Sequence, residues 1–325
     1  MTTLHVNINQ NCLLKCSYCS VQHSAGWADE LSRYGEYPVI FSMPIVAKPN
    51  ADNFWDTWAA EYTKLTHIVI DSGEPITSEH TSKILNYVAN FPNPELTIEI
   101  VSSFAVPSKD FGEYITQVSE LVHKRRIKKF IQTVSIDSGK SDQAEYIRYG
   151  MHAAMFYHYV MRFLSATNDL AQLNFKILAN NLSISGIRPL LEWVIDLRAD
   201  YGQDNDRIKF DLQMLQYPAY QSAQIAPAWL VDHAERVAIW AESNTEFLTG
   251  PAPHFSETEL DQIYNLVDWM KAGQQLDSEY VKKQQADFFR FFHEHDLRRK
   301  TSFLKTFPEL KDWWQECQYQ AENGY

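Results

Sequence analysis

Three cysteines near the N-terminus constrain this chain more than any other feature of its sequence. Cys12, Cys16 and Cys19 follow the spacing C-x3-C-x2-C, and Tyr18 directly precedes the last of them. Three thiolates in one short loop can each bind a different iron of a cubane iron–sulfur cluster, which leaves the fourth iron without a protein ligand. An open metal position is typical of a catalytic site, whereas a structural site fills its coordination sphere. The triplet therefore predicts a catalytic metal loop, directly after a first strand over residues 4–8.

A structural zinc site is the alternative for the same cysteines. Cys317 is the fourth cysteine of the chain and would complete an all-cysteine zinc set. Structural zinc usually takes its cysteines as two separated pairs, whereas this chain has a triplet and one distant residue. A secreted disulfide framework would distribute its cysteines along the chain, so the same pattern predicts a reduced, cytoplasmic setting.

The chain before residue 221 alternates short apolar strands with helical patterns, which is typical of a parallel sheet with helical crossovers. We predict an α/β fold: a partial (β/α)6 TIM-type barrel over residues 1–220, with a mainly helical C-terminal extension over residues 221–325 that covers the barrel mouth. Residues 20–50 lack clear periodicity and are predicted to be an irregular loop or a cover over the site. The other predicted strands span residues 67–70, 96–101, 130–136, 173–178 and 208–212, and the predicted helices before the boundary span residues 52–65, 78–91, 111–124, 143–164 and 189–197.

Charge and hydropathy exclude several classes of partner. The chain has 29 Lys and Arg residues against 41 Asp and Glu residues, a net charge of -12. A negative surface repels phosphate backbones, so nucleic acid is not expected as a partner. The one basic run, residues 123–129, is expected to be the solvated end of a helix. No stretch approaches the ~20 apolar residues that span a bilayer, and no secretory signal is visible, so no membrane association is expected.

The cysteine spacing and its aromatic residue resemble the signature of the radical S-adenosylmethionine (radical SAM) enzymes. After the second predicted strand, Ser72-Gly73-Glu74-Pro75 is similar to the Gly-Gly-Glu-Pro motif of that family, with Ser72 in place of the first glycine. The resemblance implies a [4Fe-4S] cluster on the three catalytic cysteines, with S-adenosylmethionine (SAM) at the open iron. It also implies reductive cleavage of SAM to a 5′-deoxyadenosyl radical, hydrogen abstraction from a substrate, and an external one-electron donor of the flavodoxin or ferredoxin type.

The resemblance further implies how SAM is held at the strand ends. Glu74 would bind the amino group of the methionine moiety, and Arg148, on the helix after the fourth strand, would pair with its carboxylate. Alternation places Ser135 and Asp137 on one face, where they would bind the ribose hydroxyls. An Asp that begins a turn and a surface arginine are the alternatives for Asp137 and Arg148; Asn180 could touch cofactor or substrate. The predicted cofactor-binding residues are Tyr18, Ser72, Gly73, Glu74, Ser135, Asp137, Arg148 and Asn180.

The last third of the chain resembles, more loosely, the branch of the family with a twitch domain, through Asp296-Leu297-Arg298-Arg299 and Phe307-Pro308-Glu309-Leu310. An auxiliary cluster generally needs several thiolates, and this part of the chain has only Cys317, so we predict a single cluster and a packed thiol. Residues 293–296 are predicted to be the polar end of a packed helix, and Trp313 and Trp314 to be core.

The sequence leaves the substrate open. Because no peptide-recognition domain precedes the first strand, a small molecule is expected, and a peptide substrate is the alternative. Without an auxiliary cluster there is no evident internal electron acceptor. Redox-neutral outcomes such as rearrangement, epimerisation or elimination are therefore favoured over oxidation.

Overall fold

The computed structural model describes residues 2–7, 12–39, 54–71, 73–202, 206–245 and 254–325. The strands are β1 (Thr3–Val6), β2 (Lys15–Cys16), β3 (His67–Ile70), β4 (Asn93–Ser102), β5 (Ile127–Ser135), β6 (Arg148–Tyr149), β7 (Ala171–Ala179) and β8 (Ile208–Met214). The helices are α1 (Ala25–Tyr34), α2 (Phe54–Glu61), α3 (Glu79–Asn90), α4 (Ser108–His123), α5 (Ser141–Ile147), α6 (Ala153–Ala166), α7 (Ile184–Tyr201), α8 (Ala228–Glu242), α9 (Glu257–Gly273), α10 (Ser278–Arg299), α11 (Phe303–Thr306) and α12 (Lys311–Glu322).

Six parallel strands form the main sheet, and they lie side by side in chain order, β1-β3-β4-β5-β7-β8. The strands are rich in buried apolar residues, as in β7, where Leu173, Phe175 and Ile177 are fully buried. Because crossovers between parallel strands are right-handed, a sheet wound in one direction carries its connecting helices on one face. Because all five strand pairings are parallel, the six carboxyl ends meet at one edge of the sheet, and the predicted parallel sheet of six strands is confirmed.

A second, two-stranded sheet joins the cysteine loop to the segment between α5 and α6. Strand β2 pairs antiparallel with β6, with Cys16 opposite Arg148, and the amide of Ser17 donates to the carbonyl of Ile147 at 2.8 Å. The single helix predicted over residues 143–164 is therefore wrong. The chain leaves the helical conformation because β6 pairs with β2, and Gly150 then turns the chain at φ +101°.

One helix was not predicted, and another begins earlier than predicted. Residues 20–50 contain α1, which the missing periodicity did not predict. It begins after Ser24, whose hydroxyl accepts from the amide of Trp27 at 3.1 Å and donates to the carbonyl of Leu14 at 2.6 Å. Residues 40–50 lie outside the described ranges. Helix α7 begins ahead of the predicted start, because Asn180 and Ser183 bond each other across the turn before it.

After β8 the described chain is helical, as predicted, apart from an isolated bridge between Thr245 and Phe255. Helices α10 and α12 pack through a buried aromatic cluster, so the predicted core positions of Trp313 and Trp314 are confirmed. His293 is exposed and His295 is fully buried, as expected at the polar end of a packed helix. The basic run begins where α4 ends and is exposed at residues 123–125. Within the described ranges no helix has the length and apolar character needed to cross a membrane.

Candidate cysteine-cluster site

The cysteine loop follows β1 and is held by backbone contacts from two sides. Cys16 is buried, and its carbonyl accepts from the indole of Trp27 at 3.0 Å and from the amide of Cys19 at 3.0 Å. Cys12 and Cys19 are half-buried. Helix α1, through Trp27, and strand β6, through its pairing with β2, thus fix the middle of the triplet, and the two outer cysteines are only partly buried.

The three thiols share one environment. Burial, followed by the charge of Cys16, raises the pKa of Cys12 to about 12, and the same two causes raise the pKa of Cys19 to about 12. Burial also raises the pKa of Cys16. Burial and mutual repulsion thus oppose the thiolate forms. Coordination relieves this penalty, because the metal replaces the proton as the cation on sulfur. The donor set therefore fits a metal centre.

A single metal ion fits these thiols less well. Within the described ranges, no three His, Cys, Asp or Glu side chains are placed to hold a metal ion. Zinc bound at ~2.3 Å from each sulfur would draw the sulfurs to within about 4 Å of one another. A cubane instead binds each thiolate at a different iron, so its ligands stand farther apart. The pKa of the Cys317 thiol is raised by burial and by Glu316, and Cys317 is packed in the core on α12, so it does not join the triplet.

Beside Cys16, the half-buried Tyr18 joins the buried pair of Asp137 and Arg148. The Arg148 guanidinium donates through Nε and Nη2 to both oxygens of Asp137, at 2.9 and 3.1 Å, and the Tyr18 hydroxyl donates to Asp137 Oδ2 at 2.6 Å. Arg148 Nη1 lies 3.9 Å from Cys16 Sγ. Arg148 is buried, so the surface alternative is wrong, and its charge lowers the pKa of all three thiols against the effect of burial.

Glu74 lies at the turn that follows β3. Gly73 has φ +63°, a conformation that favours glycine; Ser72 lies outside the described residues. The carboxylate of Glu74 accepts from Ser102 Oγ at 2.6 Å and from the amide and hydroxyl of Ser103 at 3.0 and 2.6 Å. Burial raises the pKa of Glu74 although these bonds lower it. The charge of Glu74 also raises the pKa of Cys12, which places this carboxylate within electrostatic range of the cysteine loop.

The remaining predicted residues lie at neighbouring strand ends. Ser135 is the last residue of β5 and is half-buried, two positions before Asp137. Asn180 shapes the turn into α7: its Nδ2 donates to the carbonyl of Leu178 at 2.9 Å, and its Oδ1 accepts from the amide of Leu182 at 3.1 Å. The amide of Leu178 donates to Asp137 Oδ1 at 3.1 Å, so Asn180 reaches the Asp137 group through Leu178.

Sequence reasoning missed residues that support the loop from a distance. Gln221 donates to the carbonyl of Ser17 at 3.0 Å and accepts from its hydroxyl at 2.8 Å. Glu30 binds Lys15 Nζ at 2.5 Å and pairs with Arg299. Only Arg299 carried a sequence signal, as part of the Asp296-Leu297-Arg298-Arg299 run. The other contacts join distant parts of the chain and leave no local pattern.

The fold and site define an α/β protein with a parallel six-stranded sheet and a partly buried three-cysteine loop after its first strand. No family model matches the chain, and no curated protein matches it. Among solved structures, the crystal structure of Streptococcus suis SuiB bound to precursor peptide SuiA is similar with 11% identity and a TM-score of 0.47, over 74% of this chain and 45% of that one. This chain thus spans less than half the length of the SuiB chain. At this identity and score the likeness carries no conclusion about function.

Proposed function

We propose that this chain is a radical SAM enzyme, with a [4Fe-4S] cluster on Cys12, Cys16 and Cys19 and SAM at the open iron. One observation carries the proposal: the buried guanidinium of Arg148 lies 3.9 Å from the sulfur of Cys16, in the middle of the triplet, while the charge of Glu74 acts on Cys12. When bound and reduced, the cluster would supply one electron for the cleavage of SAM to methionine and a 5′-deoxyadenosyl radical, which would abstract hydrogen from the substrate.

Some side chains of the site would act on the cluster, and others would bind SAM. Arg148 places a buried cation beside Cys16 and so favours the thiolate ligands, while Asp137 fixes the plane of the guanidinium through two hydrogen bonds. Glu74, oriented by the two serines of the β4 end, would receive the amino group of SAM, and Gly73 leaves room for close backbone approach. In the described arrangement the Arg148 fork is occupied by Asp137, so a SAM carboxylate would share Arg148 with Asp137.

The remaining assignments follow from these positions. Ser135 and Asp137 would bind the ribose hydroxyls, and Tyr18 and Asn180 would support Asp137 from either side. The chain-ordered parallel sheet supports a partial (β/α)6 barrel over residues 1–220, and the helices that follow support a C-terminal extension, residues 221–325, which we propose to be twitch-like without an auxiliary cluster. A small-molecule substrate is favoured over a peptide, and the electron would come from an external flavodoxin- or ferredoxin-type donor.

The test compares two cysteine variants. After anaerobic reconstitution with iron and sulfide, the wild type should hold about four irons per chain, as a single cubane requires. Reduction with dithionite in the presence of SAM should release 5′-deoxyadenosine without any substrate. In Cys16→Ala both the iron content and the product should fall to background. Cys317→Ala is the matched control, because it removes a buried thiol away from the triplet and should keep both.

Two results would overturn the proposal. A colourless protein that binds zinc and yields no 5′-deoxyadenosine would show that the cysteines form a structural metal site instead. Equal product formation by wild type and Cys16→Ala would show that the triplet is not the source of the chemistry.

A further inference from the structure

The C-terminal end of α10 lies against the cysteine loop. The side chain of Arg299 is 0% exposed, and its Nε and Nη2 donate to Glu30 on α1 at 3.0 to 3.3 Å. Its Nη1 donates to the carbonyl of Lys15 at 2.8 Å. The guanidinium also lies over the rings of Trp27 and Tyr149, at 4.8 and 5.1 Å from their centroids. One arginine from the end of a distant helix therefore contacts α1 and both strands of the small sheet.

Glu30 is the centre of this group. It accepts from Arg299, from Lys15 Nζ at 2.5 Å and from the Tyr37 hydroxyl at 2.7 Å. Burial raises its pKa, but the bonds from Arg299 and Lys15 outweigh burial and lower it to about 2. A buried carboxylate with three donors is fixed in orientation, because each donor would otherwise be left without a partner. Glu30 therefore holds Arg299 and Lys15 in a set relation to each other.

Lys15 is the residue directly before Cys16, and together they are the whole of β2. A strand of two residues has too few ladder bonds to hold its own position, so contacts from outside decide where it lies. The Arg299 bond to the Lys15 carbonyl is one of these contacts. A second contact lies next to it. Arg298 donates to the carbonyls of Gly35 and Glu36, at 2.8 and 2.9 Å, just after the end of α1.

We propose that Arg299, Glu30 and Lys15 form a clamp through which α10 positions Cys16 for the cluster. The Arg299 clamp makes the end of α10 a positioning part of the cysteine site, with no contact to the reacting atoms assigned to it. Its role in cluster binding rests on the proposed function, whereas its hold on Cys16 does not. The clamp also assigns a structural role to the Arg298-Arg299 run, which the sequence alone did not indicate.

The test measures the local protection of Cys16 in the full-length chain. Iron is removed anaerobically with a chelator, the protein is treated with iodoacetamide, and the alkylation rate of each cysteine is followed by peptide mass spectrometry. In Arg299→Gln we expect Cys16 to react about tenfold faster than in wild type, because the local opening of β2 outweighs the loss of the Arg299 charge, which by itself raises the pKa of Cys16 and slows the reaction. Cys317 should keep its wild-type rate, because it is packed between α10 and α12 away from the clamp. Arg290→Gln is the matched control: it removes a charge from the same helix, where Arg290 bonds Asp287 and Ala321, and should leave Cys16 protected.

Further results distinguish the clamp from a general loss of structure and from a failure of the proposed function. An unchanged Cys16 rate in Arg299→Gln would overturn the clamp, and so would an equal acceleration of Cys16 and Cys317, which would mean loss of the whole fold. Arg299→Lys should fall between wild type and Gln, because one ammonium can pair with Glu30 but cannot reproduce the fork and the carbonyl bond together. In reconstituted protein, Arg299→Gln should release iron to a chelator several-fold faster. A chain that takes up no iron would refute the proposed function and leave the alkylation result standing.

Discussion

Glu74 shows how a single buried residue at the site balances opposing forces. It accepts hydrogen bonds from Ser102 and Ser103, and each of these bonds favours the ionised carboxylate. Burial acts in the opposite direction and is the stronger effect, so the pKa of Glu74 lies above its ordinary value of 4.5. A ligand that brings a positive charge to this carboxylate would reverse the balance. The residue is thus suited to bind a cationic group and costs stability when no such group is present.

Replacing Glu74 with glutamine should change how stability depends on pH. Because its pKa is raised on folding, Glu74 contributes stability below the unfolded value of 4.5 that is lost as the pH rises through the folded pKa. We expect the free energy of unfolding of the wild type to fall relative to that of Glu74→Gln as the pH rises above about 4.5. Urea denaturation across this range measures it. In exposed Glu79, a bond from Lys83 lowers the pKa, so Glu79→Gln should show the opposite sign. If the difference in unfolding free energy between the wild type and Glu74→Gln does not vary with pH, the pKa of Glu74 is not raised on folding.

At the scale of elements, the sequence predicted the helices and strands that depend on a local pattern. It did not predict those that form only because distant segments of the chain pair. The six strands of the main sheet were found because their apolar runs are local. The helix predicted over residues 143–164 was wrong because β6 exists only through its pairing with β2. The end of α10 gives a further example: the sequence predicted the polar end of a packed helix at residues 293–296, but not the contact with Tyr146 that buries His295 fully. Periodicity finds the helix but not the partner that buries its polar end.

His295 should make the chain sensitive to mild acid. Burial lowers its pKa to about 4 from the ordinary 6.5, so the unfolded chain takes up a proton in this range and the folded chain does not. The stability present above pH 6.5 should therefore be lost as the pH falls to about 4, by about 3 kcal/mol. Denaturation of His295→Gln should lack this loss, while the exposed neighbour variant His293→Gln should keep it. Parallel pH profiles for the two variants would argue against a neutral buried imidazole.

At the scale of the molecule, the cysteine site depends on parts of the chain that lie far apart in sequence. The cluster ligands were predicted from a short motif, because three thiolates must share one loop. The residues that hold this loop in place were not predicted, since Gln221 and Arg299 contact it from beyond the predicted domain boundary. The apolar core likewise continues from Val6 to Cys317. We therefore expect the two predicted parts of the chain to unfold together.

The buried pair of Arg198 on α7 and Glu259 on α9 tests this cooperativity. Arg198 Nη2 lies 2.6 Å from Glu259, and Arg198 also donates to the carbonyls of Ile208 and His254. Removing one partner leaves a buried charge, so Arg198→Met should lower the free energy of unfolding by about 3–5 kcal/mol in denaturant titrations. The double variant Arg198→Met/Glu259→Met should lose less than the sum of its single variants.

A surface pair on the same helix provides the matched control. Arg188 and Glu192 are about half exposed and lie four residues apart on α7, so Arg188→Met should cost only about 0.5 kcal/mol. If the chain is one cooperative unit, Arg198→Met shifts a single transition that fluorescence and circular dichroism report at the same denaturant concentration. Two separated transitions, with only the later helices destabilised, would instead mean that residues 221–325 fold on their own. The Arg299 clamp would then join two independent units, and the hold on Cys16 would vary with the stability of the C-terminal one.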